Sequence, residues 1–325
     1  MSIFSKLQPV FIIFSAFFGV LLGKININIE QRSGSFIEIF LMLLLFFTFA
    51  GIDIKDIRKS FTNLKFSLSA LIINFLWTPV FAFLLAKIFL PEQVSLQIGF
   101  IMLLVTPCTD WYLVFTGLAN GNVILGSSIL PLNLILQIIL LPVYLFIFMG
   151  KTVSFDIKIL IQSIIFILLI PLISANMIKL IIRKIKLERY FNKIIDQNDT
   201  IQFVLLCFAI ISMFASQGSI LLANLIIFIK LLFPLIIFFV INFFLALFVG
   251  KKLKLSFYNI IPLLFTTSAR NSPISLAIVI ITFPSEPIIA LVLVMGPLIE
   301  LPVLAINSTI LKKIDEKIDS TPSMV

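Results

Sequence analysis

The chain has 325 residues, of which 61% are hydrophobic and 12% are charged, and its formal net charge is +9. A soluble domain alternates apolar and polar faces, whereas apolar runs of about twenty residues recur here with hardly a charge inside them. An ordinary soluble fold is therefore excluded. Because the runs are long and continuous, they predict membrane-spanning helices and not the short alternating strands of a β-barrel.

The numbers of cysteine and histidine residues exclude several classes of site. The chain has two cysteines and no histidine, which excludes a disulfide framework, a Cys/His zinc site and a histidine-based catalytic triad. No cofactor motif, metal cluster or nucleophile–base pair is visible, so we do not expect a membrane-embedded enzyme or sensor. Most basic residues lie between the apolar runs, which indicates a topology signal and not a nucleic-acid surface.

Ten apolar segments follow one another along the chain, and the first reads as a retained span and not as a signal peptide. The first five lie near residues 8–23, 36–52, 64–90, 95–118 and 123–149, and the second five near 156–182, 200–217, 221–249, 257–282 and 287–311. Because each half has an odd number of spans, the second half crosses the membrane in the opposite orientation to the first. We therefore predict an all-α membrane protein with one five-helix repeat in residues 1–150 and an inverted one in 151–325.

The distribution of lysine and arginine predicts the orientation in the membrane. With ten spans, one side collects most of the 24 basic residues, whereas the opposite side holds Lys24, Arg32, Lys87, Lys151 and Lys158. The basic side is the one on which both termini lie. The positive-inside rule places that side, and hence both termini, in the cytoplasm, in a multi-pass plasma-membrane protein.

An internal repeat supports the division into halves. When the chain is aligned with itself at an offset of 160 residues, the stretch from Leu103 to Thr106 aligns with that from Leu263 to Thr266. At the same offset Leu141-Pro142-Val143 aligns with Leu301-Pro302-Val303. Proline and polar residues interrupt the fourth segment at Val105–Asp110 and the ninth at Thr266–Pro273. We predict two broken helices that cross near the bilayer centre, the typical place of a transporter's binding site. Two proline kinks without a ligand are the alternative reading.

Charged side chains and a cysteine thiol at or near these breaks are candidate functional groups. The same offset relates Asp110 to Arg270, so we predict that they face each other, either as a structural ion pair or in substrate or proton handling. Glu300, inside an apolar segment beside Pro302, is a candidate proton carrier or a hydrogen-bonded structural acid. Cys108 is the thiol expected to meet a ligand, although either cysteine could simply be packed.

The predicted site is drawn from both breaks. We expect no metal or cofactor in it, and its expected partners are a small-molecule or anionic substrate, a coupling ion and the lipid bilayer. The candidate substrate-binding residues are Thr106, Cys108, Thr109, Asp110, Thr266, Ser268, Arg270 and Asn271, with Glu300 and Asp110 as ion-coupling residues. Amides farther along, including Asn133 and Gln137, either line the same cavity or join neighbouring helices.

Several motifs resemble those of the bile acid:sodium symporter superfamily, which includes the arsenical-resistance permeases. The resemblance rests on the stretches Phe49–Asp56, Pro107 with Leu118–Val123, and Asn271-Ser272, and it covers nearly the whole chain. It implies ten helices, with a panel domain and a core domain that contains two crossing broken helices. Cys108 and the motif Gly296–Val303 resemble the arsenite permeases in particular.

The resemblance also implies which ion drives transport. Sodium-coupled members typically carry a Ser-Asn pair and a Glu and Gln as ligands, where this chain has Tyr112-Leu113, Thr266 and Arg270. Apolar groups and a cation in place of oxygen ligands favour a proton over sodium. The expected function is therefore efflux of arsenite or a related oxyanion by a secondary transporter, with an ion-coupled organic-anion carrier as the alternative and a channel less expected.

Overall fold

The computed structural model describes residues 3–25, 27–51, 63–91, 93–109, 111–149, 170–195, 197–223, 225–283 and 286–320, with positions 158, 162, 166 and 169. Throughout these ranges the regular structure is helical, and one isolated β-bridge accompanies it. The prediction of an all-α protein is confirmed. Hydrocarbon cannot satisfy backbone polar groups, so long apolar runs fold into helices that pair their own amides and carbonyls.

The helices follow the predicted apolar segments in chain order. They are α1 (Ile3–Ile25), α2 (Ile27–Gly51), α3 (Leu64–Ile72), α4 (Thr78–Phe89), α5 (Val94–Val105), α6 (Trp111–Leu118), α7 (Val123–Met149), α8 (Ile170–Lys184), α9 (Glu188–Ile195), α10 (Asn198–Ala223), α11 (Leu225–Lys252), α12 (Phe257–Ser268), α13 (Ser272–Thr282) and α14 (Pro287–Ser320). The predicted segment at 156–182 is described as a continuous chain only from residue 170 onward. The short helix α9 lies in a basic loop that had no predicted helix.

Four helical stretches are long and apolar enough to cross a membrane: Arg32–Gly51, Leu64–Phe89, Ile226–Lys252 and Pro287–Asp315. The number of candidate spans rises to six if each of two bent helix pairs counts as one span. These pairs are Val123–Gln137 with Ile139–Phe148 and Arg189–Ile195 with Thr200–Ser216. These numbers refer to the part of the chain that the structure describes. They support a multi-pass membrane protein, while ten spans in two inverted fives stay a prediction.

A π-helical turn, Ile73–Trp77, joins α3 to α4 within one continuous span. Pro79, just after it, has no N–H to give to the preceding turn, which is a common origin of such irregularities. The carbonyl of Phe75, four residues before Pro79, instead accepts a hydrogen bond of 2.6 Å from the hydroxyl of Tyr144 on α7. The widened turn also carries Asn74, a fully buried amide that points into the protein interior.

The helices pack in two groups. In the first, α10 lies against α1 and α2, and α8 also packs on α2; the second comprises α3 to α7 and α11 to α14. Glycine allows the closest approach in the first group, because a Cβ on Gly23 would lie 2.3 Å from the carbonyl oxygen of Ala215. In the second group α14 packs along α5, where a Cβ on Gly99 would lie 2.9 Å from the carbonyl oxygen of Ile289.

Candidate functional site

Two spans of the second packing group are interrupted. The chain leaves the helix after Val105 and re-enters it at Trp111, and it does so again between Ser268 and Ser272. The halves have 12, 8, 12 and 11 residues, and 12 residues cover only about 18 Å of a hydrocarbon core roughly 30 Å thick. Both predicted breaks therefore coincide with helix ends.

Local sequence explains where the helices stop. Thr106 precedes Pro107, whose ring disfavours a helical conformation at the residue before it, and Thr106 is extended, with φ −105° and ψ 99°. Ala269 is extended as well, with φ −71° and ψ 140°, and Pro273 lies in the first turn of α13. Proline is well tolerated there because its missing N–H would be unpaired anyway.

The two breaks cross and pair through their backbones. An antiparallel bridge joins Pro107 to Arg270, in which the amide of Cys108 donates to the carbonyl of Ala269 (3.0 Å) and that of Asn271 to the carbonyl of Thr106 (2.8 Å). Backbone groups freed by unwinding are thus satisfied inside the protein, as an apolar surrounding requires.

The register of this pairing differs from the sequence offset. An offset of 160 equates Val105, the last residue of α5, with Phe265, whereas α12 continues to Ser268. Pro107 consequently lies opposite Arg270 in the backbone. The predicted contact between Asp110 and Arg270 stays a prediction, because Asp110 is outside the described residues.

Side-chain hydrogen bonds fix the crossing. Thr106 Oγ1 lies 3.0 Å from the carbonyl oxygen of Met102 and 2.9 Å from Ser275 Oγ. Asn271 caps α13 by accepting the amide of Ile274 (3.3 Å), and its Nδ2 donates to Thr109 Oγ1 (3.1 Å). The candidate residues Thr106, Thr109 and Asn271 therefore join the two breaks.

Arg270 is fully buried, and within the described part of the chain its guanidinium donates to neutral oxygens. Nη1 donates to the carbonyl of Leu104 (3.0 Å), Nε to that of Ser268 (3.2 Å), and Nη2 to the carbonyl of Thr267. Nη2 also donates to Asn74 Oδ1 (3.3 Å), and the guanidinium carbon lies 5.1 Å from the ring centre of Phe238. A cation near an aromatic face is attracted by the ring quadrupole.

Glu300 reaches the same crossing from α14. Its Oε1 accepts the indole N–H of Trp111 (2.8 Å), the first residue of α6, and the backbone amide of Arg270 (2.8 Å). Only 1% of the residue is exposed. The second oxygen, Oε2, is buried and has no hydrogen-bond partner among the described residues.

Two hydroxyls beside the ninth-segment break are also buried without a partner in the described chain: Ser268 Oγ and Ser272 Oγ. Buried polar atoms are normally hydrogen-bonded, so each such group indicates a place for water or a ligand. Glu300 Oε2 is a third such atom, on the carboxyl group that accepts the backbone amide of Arg270. Ser272 stands at the amino end of α13, where helix geometry attracts negative charge.

Amide side chains from two flanking helices, α7 and α11, hold the end of α12. Asn133 donates to Thr266 Oγ1 (3.0 Å), and Asn242 donates to the carbonyl of Thr267 (3.1 Å) and accepts the indole N–H of Trp77 (3.1 Å). The candidate Thr266 is thus part of this outer network. We did not predict Asn74 or Asn242; the available signal was a lone amide within an otherwise apolar run.

The thiols differ in their surroundings. Cys108 is buried at the crossing, whereas Cys207 is half-buried on α10 in the other packing group. Among the described residues no group of three His, Cys, Asp or Glu side chains could hold a metal ion. The carboxyl ends of α5 and α12 meet at the guanidinium of Arg270. At the amino end of α13, the hydroxyl of Ser272 has no partner among the described residues.

Comparison with known proteins extends over most of the chain. Residues 38–224, more than half of it, match the model of the Sodium Bile acid symporter family. The chain is 25% identical over 323 residues to the arsenical-resistance protein Acr3 of Corynebacterium glutamicum, which covers 93% of this chain and 87% of that protein. It is 23% identical over 342 residues to an uncharacterized transporter of Synechocystis sp., with 96% and 89% covered. The similarity therefore includes both halves.

Proposed function

Since the chain belongs to the Sodium Bile acid symporter family of membrane transporters, we propose that it is a secondary active transporter that exports arsenite or a related small oxyanion. A proton, and not sodium, drives the export. The protein lies in the plasma membrane with both termini in the cytoplasm, and its ten spans form two inverted fives.

The observation that carries the proposal is the crossing of two broken helices with unpartnered polar atoms around it. Ser272 Oγ lies at the amino end of α13, and Glu300 Oε2 belongs to the carboxyl group that accepts the backbone amide of Arg270. A small oxyanion gains from the partial positive charge of a helix amino end and from a hydroxyl donor. Such a ligand would fill the hydrogen-bonding capacity that the protein itself leaves open.

The choice of arsenite rests on Cys108 and on one relative. Cys108 is buried at the crossing and hydrogen-bonds through its backbone to the residue that precedes Arg270. Thiolates are soft ligands and select soft partners, which suits a thiol-seeking trivalent arsenic species. The similarity to a protein named for arsenical resistance points in the same direction.

Proton coupling rests on Glu300. Its carboxyl group is buried, with one oxygen engaged by Trp111 and by the backbone of Arg270 and the other unengaged. A proton can bind the free oxygen without displacing either hydrogen bond. Asp110, at the same break, is the second candidate carrier. Movement of one packing group against the other would expose the crossing to each side in turn.

An organic-anion carrier is the alternative, with Arg270 as the counter-ion of a carboxylate or sulfonate. Bidentate capture needs two free N–H groups on one edge of the guanidinium. Nε, Nη1 and Nη2 of Arg270 all donate to protein oxygens. This engagement makes the alternative the weaker of the two.

Uptake into inverted membrane vesicles, which reports export from the cell, tests the proposal. Arsenite and a panel of organic anions are compared with an imposed proton gradient, a sodium gradient or none. We expect arsenite uptake that needs the proton gradient and is lost when a protonophore collapses it. Absence of arsenite uptake, or dependence on sodium alone, would contradict the proposal.

The cysteines supply a matched pair of variants for the same assay. Cys108→Ser removes the thiol at the crossing, and we expect at least a roughly tenfold loss of arsenite uptake, which corresponds to ~1.4 kcal/mol. Cys207→Ser alters a thiol on α10, outside the crossing, and should leave uptake near the wild-type rate. Organic-anion uptake that survives Cys108→Ser, without any arsenite uptake, would support the alternative.

A further inference from the structure

The guanidinium of Arg270 lies where the carboxyl ends of two half-helices meet. Leu104 is next to last in α5, and Thr267 and Ser268 are the last two residues of α12. The last four carbonyls of a helix have no partner within it and must be satisfied in another way when they are buried in a membrane. Here three of these carbonyls accept hydrogen bonds from the one guanidinium.

Asn74 completes the surrounding oxygens. Its Oδ1 accepts from Nη2 at 3.3 Å, and the π-helical turn places this amide in the interior. Among the described residues, the guanidinium donates to three carbonyls and one amide oxygen, all of them neutral. Glu300 accepts a hydrogen bond from the backbone amide of Arg270 and not from its guanidinium. In the part of the chain that the structure describes, therefore, no carboxylate is hydrogen-bonded to the guanidinium.

The helix ends contribute to the charge balance at this point, together with the buried carboxyl of Glu300, which accepts the backbone amide of Arg270. Each helix carries a partial negative charge of roughly half a unit at its carboxyl end, and two such ends converge on Arg270. Neutral backbone and amide oxygens at the negative ends of half-helices are also donors that coordinate Na⁺ within membranes. The surroundings of Arg270 thus have the chemistry of a cation site.

We infer that Arg270 is a built-in cation that permanently occupies a cation site formed by Leu104, Thr267, Ser268 and Asn74. The side chain supplies, from within the protein, the positive charge that a free alkali cation would otherwise have to supply to hold the two half-helices together. The transporter consequently needs no alkali cation, and removing the side chain creates a vacant site that an external cation can fill. This inference deepens the proposed function, and its consequence for coupling rests on that proposal.

Cation-dependent thermal stability of purified protein tests the inference without any substrate. Wild type, Arg270→Ala and Arg270→Gln are heated in detergent at constant ionic strength in N-methylglucamine, Na⁺, K⁺ or about 10 mM guanidinium, far below the molar range that denatures proteins. We expect wild type to be insensitive to the choice of cation. The midpoint for Arg270→Ala should be lower in N-methylglucamine and rise by about 5 °C at saturating Na⁺ or guanidinium.

Further variants separate a cation site from a general loss of stability. Lys230→Ala removes an exposed cation on α11 and should show no response to cations. Asn74→Leu added to Arg270→Ala removes one oxygen of the site and should weaken the cation response severalfold. A purely structural role for Arg270 predicts equal midpoints in all four cations, and that result would overturn the inference.

Failure to fold is also informative. Protein that is recovered from Arg270→Ala only when Na⁺ or guanidinium is present supports the inference, while absence of folded Arg270→Ala and Arg270→Gln in every cation overturns it. Vesicle uptake provides the second readout: wild-type flux should be equal in Na⁺ and N-methylglucamine, and residual Arg270→Ala flux should require Na⁺. A wild type that moves no arsenite would defeat the proposed function and leave the stability result standing.

Discussion

Two charged residues of opposite sign, Arg270 and Glu300, share the crossing without a recorded hydrogen bond between their charged groups. The guanidinium is held by carbonyl and amide oxygens, and Glu300 is held by the backbone of Arg270 and by Trp111. Burying a charge requires hydrogen bonds that replace water. This arrangement leaves one carboxyl oxygen unengaged, and a tight ion pair would have used it.

Glu300 can be altered in two ways that distinguish its roles. Glu300→Gln keeps an acceptor for Trp111 and for the amide of Arg270, so we expect a folded protein whose proton-driven uptake is lost. Glu300→Leu leaves both donors unsatisfied and should cost ~1–3 kcal/mol of stability for each.

Vesicle uptake measures the first effect and thermal unfolding in detergent the second. Glu300→Gln protein that unfolds as readily as Glu300→Leu would contradict the hydrogen-bond assignment. Undiminished proton-driven uptake by Glu300→Gln would contradict its role in coupling.

At the scale of elements, irregularities in the helices position several groups of the site. The two breaks present backbone groups at mid-span, and the π-helical turn presents Asn74 to the guanidinium. Each irregularity has its own compensation, because the breaks pair with each other and Tyr144 bonds the carbonyl of Phe75. A proline lies at or beside each irregularity, and a neighbouring element satisfies the freed group.

The compensation at the π-helical turn can be measured. Tyr144→Phe removes one buried hydrogen bond and should lower stability by ~1–2 kcal/mol. In a Pro79→Ala background the alanine N–H can bond to the preceding turn, so the same change should cost less. A double-mutant cycle by thermal unfolding checks this coupling, and strict additivity would refute it.

Close helix contacts in the first packing group make a second prediction at this scale. Gly23→Ala places a Cβ about where the carbonyl of Ala215 lies, so α1 and α10 must separate, and we expect a loss of ~1–3 kcal/mol. Gly34→Ala on α2 is the matched control, because a Cβ there meets nothing within 4 Å.

Thermal unfolding of the two glycine variants gives the comparison. The control should unfold at or above the wild-type midpoint, since alanine favours the helix by roughly 0.5–1 kcal/mol over glycine. Equal midpoints for Gly23→Ala and Gly34→Ala would show that α1 and α10 do not pack as closely as described.

For the whole molecule, the two packing groups meet through a limited set of helices. The contacts between them are made largely by α14 and α13 of the second group with α10, α2 and α1 of the first. The crossing belongs to the second group, and α14 carries Glu300 into it. A relative movement of the groups would therefore change access to the crossing while its hydrogen bonds remain intact.

The orientation of the whole molecule is tested by reporter fusions. We expect a reporter that is active only in the cytoplasm to work at both termini, and one active only outside to work after residue 151, the predicted start of the second repeat. The physical reason is the excess of lysine and arginine on one side. Termini on opposite sides of the membrane would exclude ten spans.

Much of the fold was predictable from the sequence, because composition and hydropathy act locally. Long apolar runs require helices in a membrane, and proline beside polar residues correctly predicted the breaks after Val105 and Ser268. The resemblance to the bile acid:sodium symporter superfamily is confirmed by the match of residues 38–224 to the model of that family. Ten spans, the repeat and the site residues stay predictions.

Only the tertiary structure decided which groups meet. The backbone of Pro107 lies opposite that of Arg270, and Asn74, distant in sequence, supplies an oxygen to its guanidinium, while the contact predicted with Asp110 stays a prediction. Glu300 was recognisable as a buried acid, but its bonds to Trp111 and to the backbone of Arg270 depend on how α14 packs. Helix formation is fixed by nearby residues and by the lipid, while these contacts depend on register between distant segments, which local patterns do not encode.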